Sequence, residues 1–242
     1  MKRIAHITDF HFDEAFPLEN GVDAHKNWAT VLDDINNRNI DEVICTGDIG
    51  KQRSIQPFLQ SLADSGYTPK ITLGNHDTYT EVVAYYNVSD NQGTDELYYS
   101  SEEDQYKCVF LDSSPDEVSQ RQIDWLKNEL NTDLKILLFM HHPILDCGTV
   151  LDQRFPLKNR DELNKVLQEC SQEITMFCGH YHMEDDRKEG NIHQYITPAI
   201  SYQVAKLSDR VEIGNTTFGY RIIEINENSI STEAVMFSSE NY

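Results

Sequence analysis

Five short apolar runs are spread along this chain, and each stops on a cluster of polar residues for which packing has no use. Arg3 to Thr8 leads into Asp9-Phe10-His11, Glu42 to Thr46 into Gly47-Asp48, and Lys70 to Leu73 into Gly74-Asn75-His76-Asp77. Lys135 to Met140 leads into His141-His142-Pro143, and Ile174 to Cys178 into Gly179-His180-Tyr181-His182. Amphipathic runs separate them, so the five read as buried strands of an α/β fold rather than as parts of an all-helical or all-strand chain. In an open α/β sheet the carboxyl ends of the strands line the ligand crevice, where donors far apart in sequence can converge. Gly47, Gly74 and Gly179 each precede one of the polar residues, and a residue without Cβ lets the backbone turn sharply or approach an ion closely.

Residues 23 to 38 predict a helix, because Ala24, Trp28, Val31, Leu32 and Ile35 recur at spacings of three and four. Residues 55 to 65 repeat the pattern, with Gly66 standing where a helix ends. Ser119 with Gln122, and Asn159 with Glu162, read as caps of two further helices running to Leu130 and Cys170. Ile192 to Ile200, Tyr220 to Ile225 and Ile230 to Phe237 are strand-like, and Asn226-Glu227-Asn228-Ser229 between the last two predicts a closing hairpin. Residues 86 to 107 are polar and predict a loop with a short strand near Leu97 to Tyr99. No repeat or linker divides the chain, so a single domain over 1–242 is expected.

Lys and Arg number 20 against 41 Asp and Glu, a net charge of −21 that repels polyanions and argues against an extended nucleic-acid groove. A small anionic substrate would need local positive charge, which a bound metal can supply. The longest uncharged apolar stretch, Ile136 to Met140, is too short to span a bilayer, and His6 and Asp9 interrupt any leader-like apolar region. A cytoplasmic chain is expected. The five cysteines are scattered and odd in number, which argues against a disulfide framework and a thiolate zinc site. Cys45, Cys108 and Cys178 lie within apolar runs and read as buried free thiols.

Asp9 and His11, and again His180 and His182, are spaced i, i+2, which in an extended segment puts both side chains on one face. Together with Asp48, Asn75 and His141 they make seven donors, more than one four-coordinate ion with an open position would use. Two ions sharing a bridging carboxylate fit better. Imidazole and carboxylate without thiolate suit manganese, iron, zinc, cobalt or nickel rather than calcium or magnesium.

The order Asp-x-His, Gly-Asp, Gly-Asn-His-Asp, His, Gly-His-x-His, spread from residue 9 to residue 182, resembles the calcineurin-like metallophosphoesterase superfamily. Thr197-Pro198-Ala199 and Gly219-Tyr220-Arg221-Ile222 are similar to its bacterial branch of class III cyclic-nucleotide phosphodiesterases and glycerophosphodiesterases. The resemblance implies a four-layer α/β/β/α sandwich with two mixed sheets and a metal site at the carboxyl ends of the central strands. It implies one divalent or trivalent ion on Asp9, His11, Asp48 and His182, and a second on Asp48, Asn75, His141 and His180. His76 would be a catalytic histidine facing the leaving group, with Asp77 behind it to fix its tautomer, and His142 would pack or contact substrate. One position departs from the pattern: after Gly47-Asp48 the usual acidic or amide residue is replaced by Ile49-Gly50-Lys51, which removes a supporting hydrogen bond rather than a ligand.

The reaction implied is hydrolysis of a small phosphodiester, with 3′,5′-cyclic nucleotides the leading class, by a metal-bridging hydroxide attacking phosphorus in line. A phosphomonoesterase, a nuclease, a pyrophosphohydrolase of a lipid intermediate and a non-catalytic scaffold on the same fold are the alternatives. For substrate recognition the sequence offers Lys51 and Arg53, the basic cluster Arg154, Lys158 and Arg160, and four tyrosines, Tyr85, Tyr86, Tyr98 and Tyr99. Each also has another reading: solvated loop charge for Lys51 and Arg53, a lid, homo-oligomer contact or helix cap for the basic cluster, and core packing for the tyrosines.

Overall fold

A computed structural model describes every residue except Asp104, Asn228 and residues 240–242. The elements are numbered in chain order. One sheet has five strands in the order β13 (Ile230–Ser238), β12 (Thr217–Ile225), β1 (Lys2–Ile7), β2 (Glu42–Cys45) and β3 (Lys70–Ile71). The other has six, β4 (Tyr99–Glu102), β5 (Tyr106–Phe110), β6 (Lys135–Phe139), β7 (Ile174–Cys178), β9 (Ile192–Ile196) and β8 (Asp185–Glu189). β10 (Gln203–Val204) and β11 (Ile213–Gly214) pair separately as a small two-stranded sheet. Both large sheets are mixed: β1-β2-β3 and β5-β6-β7-β9 run parallel, with antiparallel strands at their margins.

The alternation of side chains across β5 and β6 builds the layers. Cys108, Phe110, Leu137 and Phe139 join the core shared with the first sheet and with helices α2 (Ala24–Asn37) and α3 (Gln52–Asp64). Val109, Ile136 and Leu138 face the other way, onto α5 (Gln120–Glu129) and α7 (Arg160–Gln168). The result is the expected α/β/β/α sandwich. Between the sheets Tyr99, Phe110, Phe139, Phe177 and Tyr195 stack in register across five strands, at centroid spacings of 4.6, 5.2, 5.4 and 5.6 Å. Stacked pairs of this kind each contribute about 0.5–1.5 kcal/mol beyond the area they bury.

The five strands read from the sequence are present, and the final two form the expected antiparallel hairpin up to Ile225 opposite Ile230; Asn228 of its loop lies outside the described residues. Gly66 adopts φ +85° past the end of α3, as a helix-terminating glycine should. α3 begins at Gln52, three residues earlier than the sequence predicts, and carries Pro57 inside it. Ser119 does cap α5, accepting from Gln122 N. Asn159 does not cap α7: its side chain clasps both backbone groups of Val118 instead, at 3.1 and 2.8 Å. Three short helices complete the chain, α1 (Ala15–Glu19), α4 (Tyr79–Val83) and α6 (Val150–Arg154). Among the described residues no helix is long and apolar enough to cross a membrane.

Candidate metal centre

Both sheets send the carboxyl ends of parallel strands to the same place. β1, β2 and β3 deliver Asp9, His11, Asp48 and Asn75 from one sheet, and β6 and β7 deliver His141, His180 and His182 from the other. Asp9, His11 and His182 bring one donor atom each within 4.8 Å of one another, as do Asp9, Asp48 and His141, and His11, Asp48 and His76.

The i, i+2 pairs reach the site differently from the sequence expectation. Asp9 and His11 do not lie on an extended strand; they follow β1 in the left-handed region, at φ 58° and 50°. His180 and His182 do the same after β7, at 71° and 50°, and Asp48 after β2, at 53°. The left-handed conformation costs an L-residue roughly 1–2 kcal/mol, and five such residues around one point mark a site where the surroundings over-determine the backbone. The turns curl the donors inward, which an extended segment ending at the sheet edge would not do.

The glycines permit the close approach. A Cβ on Gly74 would stand 2.1 Å from Asp48 Oδ1, and one on Gly179 would stand 2.2 Å from Thr8 Oγ1 and 2.4 Å from Asp9 Oδ2.

Each histidine has one ring nitrogen occupied by a fixed acceptor. His141 Nδ1 donates to the Thr46 carbonyl at 2.8 Å, His182 Nδ1 to the Tyr202 carbonyl at 3.0 Å, and His180 Nε2 to the Phe155 carbonyl at 2.9 Å. His11 Nδ1 faces Glu14 Oε2 at 3.3 Å. Outer partners of this kind fix tautomer and ring orientation, leaving the second nitrogen bare for a cation. Three of these bare nitrogens point at carboxylates: His182 Nε2 lies 3.3 Å from Asp9 Oδ1, and His11 Nε2 and His141 Nε2 lie 3.4 and 3.3 Å from Asp48 Oδ2. His11 Nε2 and His182 Nε2 face each other at 3.0 Å, the spacing of two donors bound to one ion at about 2.0–2.1 Å. His141 Nε2 and Asn75 Oδ1 are buried with no hydrogen-bond partner. Orphaned buried donors among carboxylates fit a cation.

The electrostatics agree. Burial alone would raise the Asp9 and Asp48 carboxyls, but the imidazoles around them hold both below the usual carboxylate range. Burial would likewise depress His141, yet Asp48 and Asp9 lift it to about 9, the same attraction a metal cation would feel. His180 is pulled down to about 4 by burial and by His141, and is therefore neutral, as a ligand must be.

His76 is placed beside the donors but tied elsewhere. Its side chain is 45 % exposed, its backbone N donates to Asp48 Oδ1 at 2.8 Å, and its Nδ1 meets Glu14 Oε2 at 2.9 Å. That Glu14 hydrogen bond is the main reason its pKa rises to about 9. Asp77 is not behind His76, contrary to the sequence expectation. Its carboxylate takes the backbone N–H groups of Asp48, Ile49 and Gly74 at 2.7, 3.0 and 3.0 Å, bracing the two turns against each other. Glu14 does what was expected of Asp77, and sequence reasoning missed it because no fixed spacing links a residue after β1 to one after β3.

His142 is buried beside the donors: its Nδ1 meets Ser113 Oγ at 2.9 Å, and its ring lies 4.1 Å from that of His180. Arg53 is committed to Asp13, Lys158 to Asp116 and Arg160 to Asp152, at 2.9, 3.4 and 2.6 Å. Tyr98 and Tyr99 are buried and Tyr86 donates to the Pro69 carbonyl, so these three belong to the scaffold. The cleft over the donors, about 330 Å³, is lined by residues the sequence did not single out, among them Phe16, Phe155 and Tyr202, together with Arg154.

Fold and donor set define a metallophosphoesterase, and comparison with known proteins agrees. The calcineurin-like phosphoesterase profile matches residues 2–184, and the chain belongs to that family of hydrolases. It is 27 % identical to the 3′,5′-cyclic adenosine monophosphate phosphodiesterase CpdA of Escherichia coli K12, over 96 % of this chain and 88 % of that one. It is 26 % identical to the 3′,5′-cyclic-nucleotide phosphodiesterase alr5338 of a Nostoc species, over 92 % and 87 %. A dimetal phosphatase of Danio rerio shares the fold with a TM-score of 0.68 at 14 % identity, over 98 % of this chain and 99 % of the other.

Proposed function

We propose that this chain is a two-metal phosphodiesterase whose substrates are small diesters of the 3′,5′-cyclic nucleotide class. The observation that carries the two-ion reading is the position of Asp48 Oδ2, which faces His11 Nε2 at 3.4 Å on one side and His141 Nε2 at 3.3 Å on the other. One ion would be held by Asp9, His11, Asp48 and His182, and the other by Asp48, Asn75, His141 and His180, with Asp48 between them. The donor set suits manganese, iron, zinc or cobalt. When bound, such a pair supplies an activated water and neutralises charge on the phosphoryl oxygens.

The protein's own part is orientation and proton supply. Glu14 holds His76 Nδ1 at the edge of the cleft, leaving the other ring nitrogen to give a proton to the departing oxygen. The choice of a diester, and of cyclic nucleotides, is supported by the relatives named above. A cytoplasmic location and one functional domain over 1–242 belong to the same proposal.

Turnover of 3′,5′-cyclic AMP, bis-p-nitrophenyl phosphate and p-nitrophenyl phosphate under manganese, zinc and chelator tests this reading. Diester hydrolysis that disappears with chelator is expected; activity on monoesters alone overturns it. His76→Ala should lower kcat by about 10²- to 10⁴-fold with metal content unchanged by elemental analysis. Loss of metal in that variant would make His76 a ligand.

A further inference from the structure

The cleft over the metal centre has walls that the sandwich itself does not require. They come from α1, from the end of α6 and from the β10–β11 sheet, elements of two to five residues that lie outside both large sheets. Three aromatic rings line it, Phe16, Phe155 and Tyr202, backed by Val211 and Ile213. Phe16 and Phe155 are 47 % and 55 % exposed. Leaving large apolar side chains in water forgoes burial worth about 1.5–3 kcal/mol each, and two of them at the mouth of one site mark a surface that a ligand covers.

These aromatic positions are tied to the donors through the backbone. The Phe155 carbonyl holds His180 Nε2 at 2.9 Å, and the Tyr202 carbonyl holds His182 Nδ1 at 3.0 Å. The Tyr202 ring also lies 4.2 Å from that of His182 and 5.6 Å from Phe16. Two slot residues are thus fixed relative to the point where phosphorus would sit, so that whatever the slot grips is held at a set distance from the reacting atom.

The occupant must suit apolar, aromatic walls and one cation. Arg154 lines the cleft and makes no ion pair among the described residues, although the chain carries 41 acidic residues and the nearby Lys158 and Arg160 are both paired. An aromatic cage would also accept a quaternary ammonium headgroup, but an unpaired guanidinium in the same cleft opposes one. A volume of about 330 Å³ stands at the small end of ligand pockets and suits a compact ligand. A flat, uncharged heterocycle meets every condition. We propose that this slot is a nucleobase subsite walled by Phe16, Phe155 and Tyr202, with Arg154 excluding cationic headgroups. The proposal rests on the phosphodiesterase reading and supplies the substrate class with a structural basis.

Its test compares 3′,5′-cyclic AMP with the six-membered cyclic phosphate of propane-1,3-diol, which presents the same kind of reacting ring without a base. Stacking on an aromatic side chain is worth about 1–3 kcal/mol per base, so Phe155→Ala should raise KM for cyclic AMP by about 5- to 150-fold. Its kcat/KM for the baseless ring should fall by a much smaller factor than that for cyclic AMP. Adenosine, which lacks phosphate, should inhibit competitively, with its inhibition constant weakened in the variant by the same factor. Phe16→Ala should follow in the same direction, and Arg154→Ala should raise kcat/KM for glycerophosphocholine. Equal kcat/KM of the parent enzyme for cyclic AMP and the baseless ring, or equal losses for both in Phe155→Ala, would overturn the subsite while leaving a phosphodiesterase. A parent enzyme that hydrolyses neither ring under any metal would instead bring down the functional reading.

Discussion

Glu14 is the residue on which the arrangement around His76 depends. Its carboxylate is almost fully buried and sits between two imidazoles, 2.9 Å from His76 Nδ1 and 3.3 Å from His11 Nδ1. The loop after Asp48, where Ile49-Gly50-Lys51 replaces an acidic or amide residue, sends no carboxylate to His76 among the described residues, so Glu14 arrives from the other side of the site to make the bond. A positioning role has a signature that a structural role lacks. A nitrophenolate leaves without a proton, whereas an alkoxide needs one, so Glu14→Ala at saturating metal should cut kcat on cyclic AMP by about 10- to 100-fold and spare bis-p-nitrophenyl phosphate. Glu14→Gln, which can still accept a hydrogen bond, should recover part of the loss. Equal effects on both substrates would reduce Glu14 to a support for His11, and a larger metal requirement would accompany them.

The strand-end turns are where a single methyl group decides whether a centre can assemble. Gly179 lies against Asp9 from the other sheet, and a Cβ there would meet Asp9 Oδ2 at 2.4 Å. Gly179→Ala should therefore displace a donor, cost about 1–3 kcal/mol through overpacking and lower the bound metal measured per chain. Gly66→Ala makes the control: its φ of +85° carries backbone strain, but no atom stands within 4 Å of the added carbon, so metal content should stay intact. If both variants bind metal fully, the close approach at Gly179 is not what shapes the cradle. The five apolar runs and their terminal clusters were legible because burial and turn chemistry are local and periodic. β5 was not, since Tyr106-Lys107 opens it after a polar stretch. Nor was β8, whose residues Asp-Asp-Arg-Lys-Glu are charged throughout; it forms the sheet edge, where pairing with β9 rather than a hydrophobic face defines the strand. Glu14 and the slot aromatics escaped for the opposite reason, because each acts through contacts between segments that no sequence spacing connects.

At the scale of the molecule, the sandwich buries an ionisable side chain, His6, at the junction of its sheets. His6 points from β1 into the space between them, with Nδ1 on Thr197 Oγ1 at 2.6 Å and Nε2 on Thr46 Oγ1 at 3.0 Å. Its ring meets the edges of the Phe139 and Phe177 rings at 5.8 and 6.0 Å. Burial, and then the charge of Arg221, pull its pKa from 6.5 to about 3. Two hydroxyls can satisfy a neutral imidazole, one donating and one accepting, whereas an imidazolium would lose an acceptor pair and sit among aromatic rings. Between pH 6.5 and 3 the unfolded chain therefore binds a proton at this position that the native chain refuses. The stabilisation is complete above pH 6.5 and is lost as pH falls below it. Urea unfolding of the metal-free protein should show it: moving from pH 7 to pH 5 should cost the parent chain about 2 kcal/mol more than His6→Gln, whose side chain does not titrate. Parallel stability curves for the two would mean that the inter-sheet junction accepts the charge. The neutral bridge between Thr46 and Thr197, which joins β1 to the turn carrying Asp48, would then not be what holds that edge of the sandwich together.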